Sequence, residues 1–180
     1  MSQDLPLILS IDPGTERSAW IVTRGLQVLH RSIDDNLRVL DRVLPHFATS
    51  TSMHAVCEMI ASYGMPVGKD VFQTVLWIGR FMERWRQAGP AGTPEMHLLT
   101  RGQVKLYLCH SSKANDATIR QAILDLYPRT GGGKTPQIGT RAKPGPLYGI
   151  VKDLWSALAV ALTFAATLGI PSTPGSEDPT

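Results

Sequence analysis

Cysteine is scarce in this chain: only Cys57 and Cys109 occur among its 180 residues. Neither belongs to a paired Cys-x-x-Cys motif, so nothing in the sequence predicts a zinc site. Each cysteine follows apolar residues in a run that is typical of a strand. We therefore expect two reduced thiols in the hydrophobic core.

Hydrophobic runs long enough for a signal peptide or a membrane span are also lacking. The opening segment, MSQDLPLILSID, has no basic residues before its short apolar run, which a signal peptide would need. The longest apolar stretch, residues 154–170, begins beside Asp153 and contains Trp, Ser and Thr, so we expect a buried helix. These features predict a cytoplasmic protein without a membrane partner.

Neither sign of charge dominates, since the formal net charge is only +3. Hydrophobic residues make up 43% of the chain and charged residues 18%, which is ordinary for a globular protein. A chain of this length has room for one sizeable core. We predict a single domain over residues 1–170 and a disordered tail over residues 171–180, which are polar and rich in proline.

The order of predicted elements indicates an α/β fold. Strand patterns occur at residues 7–11, 19–23, 27–33, 54–60 and 104–109. Helical patterns occur at residues 37–47, 70–87, 116–126 and 152–168, with Asn36 as the expected cap of the first and Asn115 or Asp116 as that of the third. The order βββαβαβαα resembles the RNase H-like fold, a five-stranded mixed sheet flanked by helices.

Three carboxylates stand at the boundaries of these elements. Asp12 ends the first strand, Glu58 lies near the end of the fourth, and Asp153 opens the last helix. Converging carboxylates with no obvious basic partner repel one another, and a divalent cation relieves that repulsion. Oxygen ligands favour Mg²⁺ or Mn²⁺, and two such ions in one site are a known arrangement for phosphodiester cleavage. Each acid taken alone is equally well explained as a cap or a surface charge, so the joint placement carries the prediction.

A basic loop is predicted over residues 129–145. It carries Arg129, Lys134, Arg141 and Lys143 without any acid, and three consecutive glycines predict a mobile chain. Such a loop can follow a phosphate backbone without reading its sequence. The alternative is a solvated linker. Its segment GGGKT lacks the first glycine of a nucleotide-binding loop and precedes no obvious helix, so ATP binding is not expected there.

Several further side chains could contact nucleic acid. Arg17, Lys113 and Arg120 could bind phosphates, although an ordinary surface charge is the better explanation of each one taken alone. Tyr63 could stack on an unpaired base, with packing inside its own loop as the alternative. In the helix at residues 70–87, aromatic residues at helical spacing indicate core or dimer packing more than a stacking platform.

Three segments together resemble the RuvC class of Holliday-junction resolvases. They are ILSIDPGTERSAW, VCEMIASYGMPVGKDVFQTVLWIGRF and KDLWSALAVALTF, and the resemblance extends over about residues 6–165. SSKANDATIRQAI and KPGPLYGIVKDLWSALAVAL are similar to versions carried by bacteriophages and prophages. The resemblance implies that Asp12, Glu58 and Asp153 are catalytic and bind metal.

The last helix departs from the pattern of that family at Ser156. The family usually has two acids, or a His and an Asp, three residues apart, and Ser156 takes the second position after Asp153. Because a neutral hydroxyl is a poor ligand, water fills the place, another acid compensates, or activity is reduced. Asp116 is the candidate substitute as a catalytic residue, and its alternative role is a helix N-cap.

The resemblance implies a structure-selective DNA endonuclease that resolves four-way junctions with two Mg²⁺ or Mn²⁺ ions per active site. A homodimer through the apolar helix at residues 70–87 would place two sites on a nearly twofold-symmetric junction. Alternatives are a nuclease of the same fold that cuts flaps, other branched DNA or RNA–DNA hybrids, and a catalytically weakened junction-binding protein. An actin-like ATPase or sugar kinase also opens with a strand and a D-x-G-T turn, but it needs a second related domain, for which this chain is too short.

Overall fold

The computed structural model describes residues 5–61, 64 and 67–170. Tyr63 and the predicted tail at residues 171–180 lie outside the described residues. The stacking role of Tyr63, the disorder of the tail and the domain boundary at residue 170 therefore stay predictions.

A mixed five-stranded sheet forms the centre of the molecule, as predicted. Its strands are β1 Leu7–Asp12, β2 Arg17–Arg24, β3 Gln27–Asp35, β4 Met53–Met59 and β5 His97–Thr100. They lie in the order β3-β2-β1-β4-β5. The first three strands form an antiparallel meander, whereas β4 is parallel to β1 and β5 is parallel to β4. This arrangement brings the ends of β1 and β4 to the same edge of the sheet.

Helices connect and cover the strands. They are α1 Asn36–Arg38, a π-helix Val39–Val43, α2 Leu44–Phe47, α3 Lys69–Ala88, α4 Arg101–Cys109, α5 Asp116–Leu126 and α6 Leu154–Thr167. No helix in the described part of the chain is long and apolar enough to cross a membrane. The apolar stretch that begins near residue 154 is instead α6, in which ten residues are buried.

The two faces of the sheet bury separate hydrophobic cores. Along β1, Ile8 faces the core formed with α6, while Leu9 and Ile11 face the core formed with α3. This alternation is the period of two expected of a strand covered on both faces. Phe81 and Trp85 of α3 are fully buried, which confirms the prediction of packing rather than an exposed aromatic platform for these two residues.

A hydrogen bond between β1 and α6 fixes the start of the last helix against the sheet. The buried hydroxyl of Ser10 donates to the carbonyl oxygen of Ala157 at 2.7 Å. The bond gives the buried Ser10 hydroxyl an acceptor and holds the first turn of α6 at one position on the sheet. Asp12 lies two residues after Ser10 on the strand, and Asp153 lies just before the same turn of the helix. The hydrogen bond therefore fixes the position of Asp153 relative to Asp12.

The prediction of a strand at residues 104–109 is wrong, because these residues form the greater part of α4. Thr100 accepts a hydrogen bond from the backbone N–H of Gln103, and Gln103 accepts one from the N–H of Thr100, which is a complete capping box. Such a box starts a helix at the next residue. The fifth strand is the four-residue β5 that precedes it. Cys109 is consequently half-buried at a helix end, whereas Cys57 is buried in β4 as predicted, and both are free thiols.

The prediction that Asn36 caps the first helix is also wrong. The cap position belongs to Asp35, which makes no side-chain capping bond. Asn36 is buried, accepts a hydrogen bond from Ser18 Oγ at 2.6 Å and donates one to the carbonyl oxygen of Gly14 at 2.9 Å. Its side chain therefore holds the turn that follows Asp12 instead of the helix end.

Candidate active site

Asp12 and Glu58 are side by side on neighbouring parallel strands. The register of β1 and β4 pairs Ile11 with Cys57, so the next residue on each strand carries a carboxylate. Ile11 and Cys57 belong to the core on the α3 face. Because side chains alternate along a strand, Asp12 and Glu58 point to the opposite face, where α6 lies.

Asp153 and Ser156 bring two more side-chain oxygen groups to this edge of the sheet. Asp153 immediately precedes the first residue of α6, and Ser156 lies three positions later on the same helix face. The preceding residue, Lys152, has a left-handed backbone with φ of 49°. Non-glycine residues seldom adopt this conformation, and strain of this kind is concentrated at functional sites. The structure thus brings together Asp12, Glu58 and the start of α6, as the sequence predicted.

The pKa of Asp12 reflects the closeness of the other two acids. Burial, followed by the negative charges of Glu58 and Asp153, raises the pKa of Asp12 to about 8. The positive charge of Arg101 and a hydrogen bond with Ser156 act in the opposite direction without cancelling the rise. An acid in this condition carries a proton at neutral pH unless a further cation approaches.

The pKa of Glu58 is shifted in the same direction as that of Asp12. Burial raises its pKa, with Asp116 adding to the rise, while Arg101 and Lys105 lower it. Its Oε2 atom is buried without a hydrogen-bond partner, although Nη1 of Arg101 lies 3.5 Å away. A buried carboxylate oxygen without such a partner is costly and indicates a place for a ligand.

Arg101 is the residue of the site that sequence reasoning missed. It is the first residue of α4, and its guanidinium pairs with Glu58 and Asp116 and donates to Ser156 Oγ at 3.3 Å. The expectation that the acids have no basic partner is therefore wrong. The signal that could have found it is the sequence Thr100-Arg101-Gly102-Gln103, whose Thr and Gln have capping-box spacing.

Asp116 is connected to the acids through Arg101. It is the first residue of α5 and pairs with Arg101, which in turn contacts Glu58. The cap of α5 is Asn115, whose Oδ1 accepts from the backbone N–H of Thr118 at 2.9 Å. The N-cap alternative for Asp116 is thereby excluded. With 85% of its side chain exposed, Asp116 lies at the outer rim of the site.

The chemistry of these residues fits a divalent cation. All the donors are carboxylate or hydroxyl oxygens, which suit Mg²⁺ or Mn²⁺. The raised pKa of Asp12 and the unpartnered oxygen of Glu58 are both relieved by added positive charge. Over residues 5–61, 64 and 67–170, however, no three His, Cys, Asp or Glu side chains are already spaced as a group that could hold a metal ion. Asp12, Glu58 and Asp153 are the residues that would hold the ion.

A cavity of about 710 Å³ opens beside the acids. Asp153, Ser156 and Arg101 line one part of it, and Arg120 and Trp155 another. The Arg120 guanidinium lies 4.7 Å from the centre of the Trp155 ring, which is cation–π geometry. The cavity therefore combines acids, cations and a flat aromatic surface next to the candidate catalytic groups.

The predicted basic loop is folded back on itself rather than extended. The backbone N–H of Gly131 donates to Pro136 at 2.8 Å, and that of Gly145 donates to Ile138 at 2.9 Å. A side chain at Gly139, where φ is 79°, would clash with the backbone of Gly145. These bonds argue against the mobility predicted from the glycines. All four basic residues, Arg129, Lys134, Arg141 and Lys143, remain exposed.

The remaining predicted phosphate contacts differ in their surroundings. Arg17 donates to the carbonyl oxygen of Ile33 at 2.6 Å and pairs with Asp35 at 3.6 Å, so it is tied to the end of β3. Lys113 is exposed in the turn before α5. Arg120 lines the cavity beside the acids. Arg17, Lys113 and the four basic residues of the loop do not.

Two solved structures resemble this architecture. The structure of Thermus thermophilus RuvC gives a TM-score of 0.58 at 18% identity, over 91% of this chain and 97% of that one. The structure of T. thermophilus RuvC in complex with Holliday junction substrate gives a TM-score of 0.55 at 20% identity, over 92% of this chain and 97% of that one. This chain has a RuvC-like fold. The RNase H-like fold class predicted from the order of elements is thus confirmed, including its mixed sheet and flanking helices.

Neither a family model nor a curated protein sequence matches the chain. At identities of 18% and 20%, the likeness to RuvC establishes the fold and leaves the chemistry to be argued from the residues of the site.

Proposed function

We propose that this protein is a metal-dependent endonuclease that cuts branched DNA, with the four-way junction as its preferred substrate. The observation that carries the proposal is the meeting of Asp12, Glu58 and Asp153 at one sheet edge, where burial and mutual repulsion raise the pKa of Asp12 to about 8. A fold that gathers acids at such a cost needs a cation for them. The sequence motifs that resemble phage and prophage resolvases agree with this proposal.

The proposed reaction is hydrolysis of a phosphodiester. Water attacks phosphorus, the bond from phosphorus to the 3′-oxygen breaks, and the products are a 5′-phosphate and a 3′-hydroxyl. Bound Mg²⁺ or Mn²⁺ would supply the activated water and stabilise the leaving oxygen. The chain's own part is to hold the ion through Asp12, Glu58 and Asp153 and to present a cation to the phosphate through Arg101.

The DNA strand would lie across the cavity beside the acids. Arg120 and Lys152 line this cavity and are exposed, so they can neutralise phosphates on either side of the cut. Lys134, Arg141 and Lys143 would contact the backbone farther along. None of these contacts reads bases, which fits selection by DNA shape. T. thermophilus RuvC has been captured with a Holliday junction substrate, and the shared fold favours the same class of substrate here.

Two copies of the chain would act together on one junction. The outer face of α3 exposes 64% of Phe72, 57% of Leu76 and 36% of Val75. A cluster of exposed apolar side chains of this kind is typical of an interface. We propose that α3 forms a homodimer contact, because opposed nicks in a four-way junction require two sites related by twofold symmetry.

Substrate choice is tested by cutting a panel of labelled DNAs with the same protein. A synthetic four-way junction, a flap, a linear duplex and an RNA–DNA hybrid are incubated with Mg²⁺ or Mn²⁺ at equal concentrations. The proposal predicts that the junction is cut at least tenfold faster than the duplex. Faster cutting of the flap or the hybrid would show that the protein is a nuclease with a substrate other than the four-way junction. Tight junction binding without cleavage in either metal would instead favour a binding protein that has lost activity at Ser156.

A further inference from the structure

Arg101 occupies a position among the acids that a metal ion would otherwise take. We propose that its guanidinium replaces a second cation, so that this site binds a single divalent ion rather than two. The inference rests on the proposed metal chemistry of the same site. It is tested by counting ions, so that its failure can be distinguished from failure of the proposed function.

One guanidinium reaches oxygen atoms on three different elements. Nη1 lies 3.5 Å from Glu58 Oε2 on β4 and 3.3 Å from Ser156 Oγ on α6, while Nη2 pairs with Asp116 Oδ1 at the start of α5. A guanidinium has five N–H donors in a rigid plane and keeps its charge at any physiological pH. It can therefore hold several oxygens at once, as a metal ion does, but with a charge of +1.

The oxygens that Arg101 contacts are carboxylate and hydroxyl oxygens, which are also the kind of donor that a second ion would use. Ser156 stands where the resembled family has the second residue of its last pair, and a hydroxyl brings no negative charge to that place. Asp116, the acid that could compensate, is paired with Arg101. Asp12 and Asp153 remain for one ion, with Glu58 between that ion and Arg101.

The backbone fixes Arg101 in this position. β5 pairs with β4 in parallel so that Leu99 lies opposite Glu58, and α4 begins directly after Thr100 without an intervening loop. The capping box of Thr100 and Gln103 determines where the first turn of α4 starts. With about a quarter of its side chain exposed, Arg101 is enclosed by the site instead of extending into solvent.

The inference is tested by titrating Mn²⁺ into the full-length protein without DNA and counting bound ions by electron paramagnetic resonance. The wild type is expected to bind one ion. Arg101→Gln is expected to bind two, because Glu58, Asp116 and Ser156 are then released. Arg101→Lys retains a charge in place and should still bind one. Arg120→Gln removes an equal charge from the same cavity and should also leave the count at one.

The outcomes separate the two levels of the proposal. If the wild type binds two ions, or if a folded Arg101→Gln variant binds only one, Arg101 does not replace an ion. Either result leaves the nuclease proposal intact. Absence of any bound ion on the wild type would overturn the proposed function itself. Circular dichroism verifies the fold of each variant. If Arg101→Gln does not fold, Arg101→Met serves in its place, and the same change from one ion to two is required of it.

Discussion

At the scale of single residues, the site combines carboxylates that are unfavourable close together. Asp12 is a half-buried carboxylate near Glu58 and Asp153, and Arg101 relieves the repulsion only in part. Asn36 and Ser10 have no chemical role, yet one holds the turn after Asp12 and the other fixes the start of α6. The candidate catalytic groups and the hydrogen bonds that position them thus come from different parts of the chain.

The raised pKa of Asp12 predicts that the metal-free protein loses stability as the pH rises. Between the unfolded pKa of about 4 and the folded value near 8, the folded state holds a proton that the unfolded state has released. The free energy of unfolding therefore falls through this window and levels off above it, and Glu58 contributes in the same direction. In EDTA, we expect the melting temperature to decrease by several degrees between pH 5 and pH 9.

Three controls accompany this measurement. Asp12→Asn removes the acid and should flatten the dependence of the melting temperature on pH. Asp125→Asn removes an exposed acid of α5 that bonds to Gln121, and should leave the decrease as in the wild type. Saturating Mg²⁺ should abolish the decrease, because a bound cation stabilises the ionised carboxylates. A melting temperature that is constant or rises over this range in EDTA would contradict the electrostatics described for the site.

At the scale of elements, strands with clear apolar patterns were predictable and the β5–α4 segment was not. Residues 7–11 are apolar on both faces, as a central strand requires, and β1 begins and ends within one residue of them. The run VKLYLC alternates like a strand but also places Val104 and Leu108 four residues apart, as a helix does. The capping box at Thr100 decides between these two periods.

The candidate site was also predictable only where local sequence patterns mark its residues. Asp12, Glu58 and Asp153 stand at element ends, and such positions can be found from local patterns. The capping-box spacing of Thr100 and Gln103 marks where α4 begins. The contact of Arg101 with Glu58 depends in addition on the register between β4 and β5, which no local pattern reveals. Asn36 shows the same limit, because its partners Gly14 and Ser18 are distant in sequence.

The folded basic loop predicts a contribution to DNA binding that depends on salt. Replacing Lys134, Arg141 and Lys143 together by Gln should weaken junction binding. It should also reduce the slope of log K against log salt by about 0.9 for each phosphate that the loop no longer neutralises. Fluorescence anisotropy in Ca²⁺ or EDTA measures this slope without cleavage.

The matched control for this experiment is Arg86→Gln. Arg86 is exposed on α3 and pairs with Glu83, so its removal should leave the salt slope unchanged. An unchanged slope in the triple variant would show that the loop is a solvated linker, which is the alternative interpretation of its sequence.

At the scale of the whole molecule, the candidate catalytic acids lie at one sheet edge, and exposed apolar side chains lie on the outer face of α3. The two are separated by the sheet, since α3 and α6 cover opposite faces. A dimer formed through α3 would therefore leave both sites open to DNA. This separation allows assembly and catalysis to be tested independently.

Leu76→Glu is predicted to shift the protein from dimer to monomer in sedimentation experiments, because it places a charge in the centre of the apolar face of α3. The monomer should still bind Mn²⁺, while paired cutting of junctions should fall at least tenfold. Leu106→Glu on α4 replaces a leucine of similar exposure, 59% against 57%, and should leave the assembly unchanged. A wild type that sediments as a monomer at micromolar concentrations would count against the dimer.

The most direct test of the central claim is single-turnover cleavage of a labelled four-way junction by the wild type and by Asp12→Asn, with nick positions mapped on all four strands. The account predicts symmetric nicks in opposed strands in the presence of Mg²⁺ or Mn²⁺. It predicts a loss of at least a hundredfold in Asp12→Asn, with junction binding retained. Nicks that persist at the wild-type rate in a folded Asp12→Asn variant would contradict the account, because the acids at this sheet edge could not then be the catalytic centre.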